Sequence, residues 1–595
     1  MFVWDKDDLN DEQVGAINEP ESVFLIACPG SGKTRTLTYK IAKELSSLEG
    51  TKKWIVAITY THRAADEIKE RIENLGVDIS QLWIGTIHSF CLEWILKPYR
   101  SYHDSLKYGF RVINSFDTEE LITPYCQKYI NPKVSYHDCG GYHYTSSGIS
   151  YSCDAGIIGQ VTEVISQYHA SLISNNQIDF EQILFFAYEL ISQQPTISKA
   201  LSGLFSYVLV DEYQDTKEIQ YVIFGEILKA GKGKVKAFIV GDPNQAIYGS
   251  LGGYAISIGE LRAITNITIK EKELTKNYRS SARIIKHFSY YKVHASGIVA
   301  AGKLENFPSL ISYDRLSHKD ELAENLAVII RNSIETLGIP ENEICIIAPW
   351  WIHLACMTRS LSSQLPQYSF NGPGLTPFAR DEDNFWYKLT KIILTEPSPS
   401  LFVRRLRWSS EIINYLNDAG IDISEITKKS LLRLINSIKF DEQDGLNHLD
   451  LIFNELFNQL GIDFTLSPTL NEHYNTFFES SNKRIKMIKK ENSIYAGTIT
   501  DFRNVFKSKS GITVSTIHGV KGGEYDVVIA YGLLEDIVPH FNDKSYGSAN
   551  KLIYVIGSRA RKHLHLISEQ GRGNKWYPKV PTNILNGHSF DYDSN

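Results

Sequence analysis

Short apolar runs separated by helical patterns dominate two stretches of the chain. VFLIA (23–27), WIVAIT (54–59), YVLV (207–210) and KAFIV (236–240) are each too brief for a helix and rich in Val and Ile. Each gives way at once to small or polar residues, as buried parallel strands do. Behind the second run, Ala64, Ala65, Ile68, Ile72 and Leu75 recur at helical spacing, which makes a βα unit. EICIIAP (343–349), TVSTIH (513–518), DVVIAYG (526–532) and HLHLIS (563–568) repeat the habit. The pattern predicts an α/β protein with two parallel-sheet lobes of nucleotide-binding type.

Two stretches interrupt these lobes. Residues 91–200 are rich in Tyr, Ser, His and Ile, with a Gly- and Ser-studded loop expected at 139–150. Residues 397–510 open on the turn-rich PSPS (397–400). They continue through helical-looking segments such as SEITKKSLLRLINSI (424–438), apolar at Ile426, Leu431, Leu432, Leu434 and Ile435. The expected plan is lobe, insert, lobe, insert. Its boundaries are 1–90 and 200–278 for the first lobe and 91–199 for its insert. The second lobe takes 279–396 and 511–595, and its insert 397–510.

Composition narrows the class. The chain has 595 residues, with 62 Lys+Arg against 68 Asp+Glu and a net charge of −6. That excludes a histone-like basic binder while leaving room for a basic groove. Seven scattered cysteines fit a reducing compartment. The start, MFVWDKDDLNDEQ, lacks the apolar core of a signal peptide, and no stretch approaches 18 uncharged apolar residues. The expectation is a soluble, cytoplasmic, multidomain protein.

The chemistry begins at ACPGSGKT, which spans Ala27, Cys28, Pro29, Gly30, Ser31, Gly32, Lys33 and Thr34 between a strand and a helical pattern. Gly30 and Gly32 let backbone N–H groups close on phosphate oxygens at a helix N-terminus, where the dipole favours an anion. Lys33 would reach the β- and γ-phosphates, and the Thr34 hydroxyl would bind Mg²⁺. A P-loop strictly begins with Gly, and here Ala27 stands in that place. YVLVDEYQDT (207–216) ends a strand on Asp211 and Glu212. One carboxylate suits Mg²⁺; the other suits orienting or deprotonating water. Together the two motifs read as an NTPase using ATP and Mg²⁺.

LNDEQ (9–13), ACPGSGKT, AITYTHRAADEIKERI (57–72), GTIHSF (85–90), DEYQDT, VGDPNQAIYG (240–249), LTKNYRS (274–280), VSTIHGVKGGEYD (514–526) and YVIGSRARKHL (554–564) occur in this order. The set resembles the motifs of superfamily 1A DNA helicases, the UvrD/Rep/PcrA family. The IDFEQILFFAYEL (178–190) and GLLEDIVPH (532–540) runs are also similar to family patterns. The resemblance implies two RecA-like lobes (1A, 2A), each carrying a largely helical insert (1B, 2B). By the same resemblance Gln13 reads the adenine edge, Arg35 flanks the nucleotide and Tyr278 stacks on the base. Gln245 senses the γ-phosphate, Glu524 contacts the nucleotide, and Arg279 and Arg559 are arginine fingers carried by the second lobe. Tyr60, Thr86, His88, Tyr248 and His518 fall in motifs that line the family's single-strand track.

Departures from the family pattern are local. After Tyr248 the family continues with an aromatic–Arg–Gly run, whereas this chain reads GSLGG (249–253), with Ser250 and Leu251 in those places and Tyr254 as the nearest substitute ring. A lost platform removes ~1–3 kcal/mol of base stacking. Ser558 replaces a Thr, and Arg63 replaces a Lys. His137, Cys139, His143 and Cys153 carry ligand atoms, but their spacing matches no common zinc pattern. NKRIKMIKK (482–490) reads as the solvated face of a helix, with duplex contact as its alternative.

The resemblance implies an ATP-dependent 3′→5′ translocase that works on single-stranded DNA and single-/double-strand junctions. The stretch after Arg559 is expected to be too short for a fused nuclease. Compact length and the altered third motif resemble the helicase subunits of Gabija anti-phage systems, which implies a separate OLD-family ATPase–nuclease (GajA-like) as partner. A stand-alone repair helicase and an ATP-dependent DNA-binding switch with weak unwinding remain the alternatives.

Overall fold

The structure is a computed structural model that describes all residues except 1, 49, 114, 350, 380, 382–383, 492–496, 508–510, 541–545, 575–576 and 595. The chain divides into two compact units, Met1–Arg279 with Tyr291–Glu305, and Ser280–Tyr290 with Asn306–Asn595.

The first unit is built on six strands: β1 (Ser22–Ala27), β2 (Trp54–Thr59), β3 (Leu82–Thr86), β4 (Phe205–Asp211), β5 (Lys236–Gly241) and β6 (Ile269–Leu274). They lie in the order β6-β1-β5-β4-β2-β3, and every pairing is parallel. The central strands are buried on both faces, which is why they read as continuous apolar runs. Strand β6, IKEKEL, is an edge strand: Ile269 and Leu274 are buried while its Lys and Glu face outward and blunt the edge. A parallel sheet collects the carboxyl ends of all its strands on one edge. The segments that follow β1, β2, β3, β4, β5 and β6 therefore meet there, and they contain most of the motif residues.

The stretch 139–150, expected as a loop, contains an antiparallel hairpin of His143–Thr145 and Gly148–Ser150. Burial explains it: Tyr144 is buried and stacks on Phe185, with ring centroids 4.2 Å apart at 17°. The insert is otherwise largely helical, as in Ile158–Ser174 and Phe180–Gln193.

The second unit repeats the architecture with β7 (Ile311–Asp314), β8 (Ile344–Ala348), β9 (Phe370–Asn371), β10 (Ile512–Thr516), β11 (Tyr525–Ala530) and β12 (Ala560–Ile567). The order is β7-β12-β11-β8-β10-β9, again all parallel. The fold is thus the expected α/β arrangement of two parallel sheets. Its insert is helical around buried Phe453 and Phe457, and this core takes in Trp386, which precedes residue 397. The predicted 424–438 helix runs from Lys428 to Ser437, starting late because Thr427 caps it through Ser430 N–H. The 482–490 run lies on the Pro468–Glu491 helix with Lys483, Arg484, Lys486, Lys489 and Lys490 exposed, a solvated cationic face.

Among the described residues no group of three His, Cys, Asp or Glu is arranged to hold a metal ion. Cys139 is buried against Cys126 instead, with their sulfurs 3.7 Å apart. Among the described residues no helix is long and apolar enough to cross a membrane.

Candidate functional site

The ACPGSGKT run leaves β1 at Ala27 and enters the Lys33–Ser47 helix. Gly30 and Gly32 have φ of +68° and +82°, which L side chains rarely adopt. Space is equally restrictive, because a Cβ at Gly30 would lie 2.6 Å from Arg279 Cβ, and one at Gly32 2.6 Å from Gln13 Nε2. No side chain caps the helix at Gly32, and a helix N-terminus is where backbone N–H groups and the helix dipole favour an anion. Within the loop, the Ser31 hydroxyl donates to Cys28 O at 2.7 Å. Burial pushes the Cys28 thiol up to about 12, so it is no nucleophile at neutral pH.

Lys33 Nζ stands 3.3 Å from Glu212 Oε2, across from the carboxyl end of β4. Glu212 has φ +53°, a left-handed backbone that swings its carboxylate away from the line of the strand. Gln214 Nε2 donates to the same oxygen at 2.6 Å. Asp211 is buried, and burial together with the neighbouring Glu212 charge raises its pKa, against the pull of Lys33. Two crowded carboxylates beside one lysine favour a divalent cation. Gln245 Nε2 donates to Asp242 Oδ2 at 2.8 Å, and both are buried beyond β5. This donor set fits a magnesium nucleotide: a helix N-terminus suits the anion, and the hydroxyl type at Thr34 and the carboxylate at Asp211 are oxygen donors of the kind Mg²⁺ takes.

The flanking residues are tied to the same loop. Gln13 is the third residue of the Asp11–Ile17 helix, and its Nε2 donates to Ser31 O at 3.0 Å. Arg35 pairs with Asp8 at 3.0 Å. Tyr278, 43% exposed, accepts a 2.8 Å hydrogen bond at its hydroxyl from Asn10 Nδ2. Tyr278 N donates to Gly30 O at 3.0 Å, and Asn277 Nδ2 donates to Pro29 O at 2.7 Å. These bonds correct one expectation. Arg279, assigned to the second lobe from sequence, belongs to the first unit, because residues 277–279 are laced onto the phosphate loop. Asn277, Gln214 and Asn10 lie within the motifs and tie the site together through their side-chain amides, a role that sequence patterns do not assign; an amide inside each motif is the signal that could have found them.

Of the residues carried over to a DNA track, Tyr60 and Tyr248 come together, with ring centroids 5.1 Å apart at 31°. Tyr60 is 45% exposed. Thr86 caps the Ile87–Phe90 helix, its hydroxyl accepting from Ser89 N. Burial pushes His88 down to about 4, so its imidazole is neutral and offers hydrogen bonds rather than charge. The GSLGG loop is braced by the first insert. The His143 ring lies over Gly252 (φ +87°), where a Cβ would meet its Cδ2 at 2.9 Å, and Ser152 Oγ donates to Ser250 O at 3.1 Å. Tyr254 is part-exposed with its hydroxyl donating to Glu260.

In the second unit, β11 and β12 pair Tyr525 with Ala560, so Glu524 and Arg559 sit together at the amino edge of that sheet. His518 follows β10 at the opposite, carboxyl edge. Arg559 is only 2% exposed, which excludes a surface ion pair. Its guanidinium donates to Val555 O, Gly523 O and Ser558 Oγ, the last explaining why a hydroxyl residue stands at 558. Glu524 lies 3.5 Å from Arg561.

Residues 9–260 match the UvrD/REP helicase N-terminal domain, and residues 464–571 match the UvrD-like helicase C-terminal domain. The ATP-dependent DNA helicase PcrA of Staphylococcus aureus (strain Mu50) is 24% identical across 98% of this chain and 87% of its own length. PcrA of Staphylococcus epidermidis (strain ATCC 12228) is 23% identical over the same shares. With both halves of the motor signature matched over more than half of its length, and relatives aligned almost end to end, this chain belongs to the UvrD/PcrA-like helicases of superfamily 1.

Proposed function

We propose that the protein is an ATP-driven motor that moves 3′→5′ along single-stranded DNA and opens duplex at junctions. The observation that carries this reading is one sheet edge holding both a glycine loop at a helix N-terminus facing a lysine–carboxylate pair and a close, tilted pair of tyrosine rings, of which Tyr60 is exposed. Bound MgATP supplies a high-energy phosphoanhydride whose cleavage powers movement. The chain's own residues do the rest. Backbone N–H groups at Gly30–Lys33 and the Lys33 ammonium hold phosphate oxygens, while Thr34 and Asp211 hold the metal. Glu212 takes a proton from the attacking water. Gln245 senses the γ-phosphate, and Arg279 and Arg559 stabilise charge on it. Tyr278 stacks on the base beside Gln13 and Arg35, and Glu524 completes the contacts. Tyr60 and Tyr248 offer stacking faces to bases, with Thr86, His88 and His518 along the backbone.

The short 397–510 insert and the GSLGG loop support work with a separate OLD-family ATPase–nuclease (GajA-like) in anti-phage defence rather than as a free-standing repair helicase. The bracing of Gly252 by His143 favours the second reading, a DNA-dependent ATPase switch that unwinds little. Partial duplexes with a 3′ or a 5′ tail decide between them. Strand displacement with ATP on the 3′-tailed substrate alone supports the motor. DNA-stimulated hydrolysis without displacement, with or without the co-purified nuclease, supports the switch. Hydrolysis indifferent to DNA overturns both.

A further inference from the structure

A cavity of about 390 Å³ opens in the second insert, inside the stretch 261–463 that neither domain match covers. Three cations line it, Arg405, Lys429 and Arg433, and no acidic residue does. Arg405, on the Phe402–Asp418 helix, is 4% exposed. Its Nη2 donates to two neutral acceptors, Ile392 O at 3.1 Å and Asn436 Oδ1 at 2.8 Å. Its buried Nε–H has no acceptor, and among the described residues no carboxylate pairs with the guanidinium. A buried charge without a counter-charge is costly unless something completes it.

The second helix of the cavity adds to the imbalance. Lys429 and Arg433 stand four residues apart on Lys428–Ser437, hence on one face, where like charges repel. Both are exposed at the mouth, so an anion entering meets them first. The walls are apolar: Phe402, half exposed, with Leu432 and Pro399. At ~30 Å³ per water the cavity holds roughly a dozen waters. It is far larger than a phosphate ion and sits at the lower end of small-molecule sites, ~300–1,000 Å³. A ligand that satisfies all of this has an anionic head and a flat apolar body.

We propose that this cavity binds a nucleoside monophosphate, with its phosphate on Arg405, Lys429 and Arg433 and its base against Phe402 and Pro399. The same chemistry arrives either as a free nucleotide or as the 5′-phosphorylated terminal nucleotide of a strand. The site is independent of the phosphate loop and of the motor reading.

Equilibrium dialysis of the full chain carrying Lys33→Ala, with labelled AMP as probe, tests this apart from the ATP site. The expected result is saturable one-to-one binding, at least tenfold tighter than adenosine or inorganic phosphate. Arg433→Glu or Lys429→Glu, both exposed and checked for unchanged circular dichroism, weakens it at least tenfold, and Phe402→Ala weakens AMP but not phosphate. A 5′-phosphorylated oligothymidylate that displaces AMP, when its unphosphorylated twin does not, identifies the strand end as the source. If neither oligonucleotide displaces AMP, the source is the free nucleotide. Equal displacement by both oligonucleotides overturns the proposal in favour of a general nucleic-acid face. Absent AMP binding, or binding that survives Arg433→Glu, overturns it outright.

Discussion

Lys33 and Glu212, 179 positions apart in sequence, form a 3.3 Å ion pair at the floor of the phosphate loop. The contact holds the lysine where phosphate oxygens would replace the carboxylate as its partner. Lys33→Ala is expected to lower ATP turnover by at least ~10²–10³ while the melting temperature stays near wild type. Steady-state hydrolysis at saturating ATP, beside a thermal melt, checks this; turnover within threefold of wild type would remove Lys33 from the site.

Glu212→Gln separates binding from hydrolysis. The amide keeps the size of the side chain and its reach toward Gln214 but takes no proton from water. ATP and Mg²⁺ binding is expected to persist while turnover falls ~10²–10⁴. A variant that loses nucleotide affinity but hydrolyses whatever it binds at the normal rate contradicts the assignment.

The paired tyrosines Tyr60 and Tyr248 are expected to act as one platform. Tyr60→Ala and Tyr248→Ala each weaken single-strand binding by ~1–3 kcal/mol. Because the rings touch, the double variant loses less than the sum of the two. Fluorescence anisotropy with oligothymidylate measures all three; strict additivity would mean that the rings act separately.

Gly252 combines two constraints, a left-handed backbone and a ring pressed on its α-carbon. Gly252→Ala is expected to cost ~1–2 kcal/mol for the backbone alone, with the His143 contact adding to it. His143→Ala in the same chain relieves the contact but not the backbone part. Single-strand affinity falls as well, since Tyr248 O accepts from both Leu251 N and Gly253 N. Denaturation of the two variants separates the contributions, and full rescue by His143→Ala refutes the backbone share.

Acid stability has a defined sign. Burial, then His588 and Arg283, pushes His287 down to about 3, and its Nε2 meets the Tyr592 hydroxyl at 3.3 Å. The folded chain therefore keeps this imidazole neutral where the unfolded chain, with an ordinary value of about 6.5, binds a proton. The contribution is complete above that value and is lost as pH falls below it, at up to ~1.4 kcal/mol per pH unit. Melts between pH 8 and 5 are expected to decline, with a shallower slope in His287→Asn; an identical slope rejects the role.

Legibility followed local signal. WIVAIT matches β2 residue for residue because a doubly buried strand is apolar throughout. IKEKEL carries two apolar residues at its ends, so nothing local distinguishes edge strand β6 from a solvated turn. The 143–150 hairpin depends on Tyr144 meeting Phe185, some forty residues away. The motif residues of the first unit were readable because they follow strands, and the parallel sheet gathers them. The motif around Arg279 does not show which lobe holds it, because its ties to the phosphate loop run through backbone atoms and the Asn277 amide to partners that only the fold identifies. The Arg405 cavity draws on separate segments that no single stretch of sequence juxtaposes.

The placement of β1 has a consequence for biosynthesis. Its two sheet neighbours are β5 and β6, so Val23 pairs with Phe238 on one side and Lys270 on the other. A nascent chain that has released its first two hundred residues holds the phosphate loop on a strand with no neighbour. Its non-local pairing makes this sheet slow to close. The phosphate loop is then expected to reach its folded form late in translation, after residues 236–274 have emerged, and the first insert emerges before the sheet that will carry it is complete.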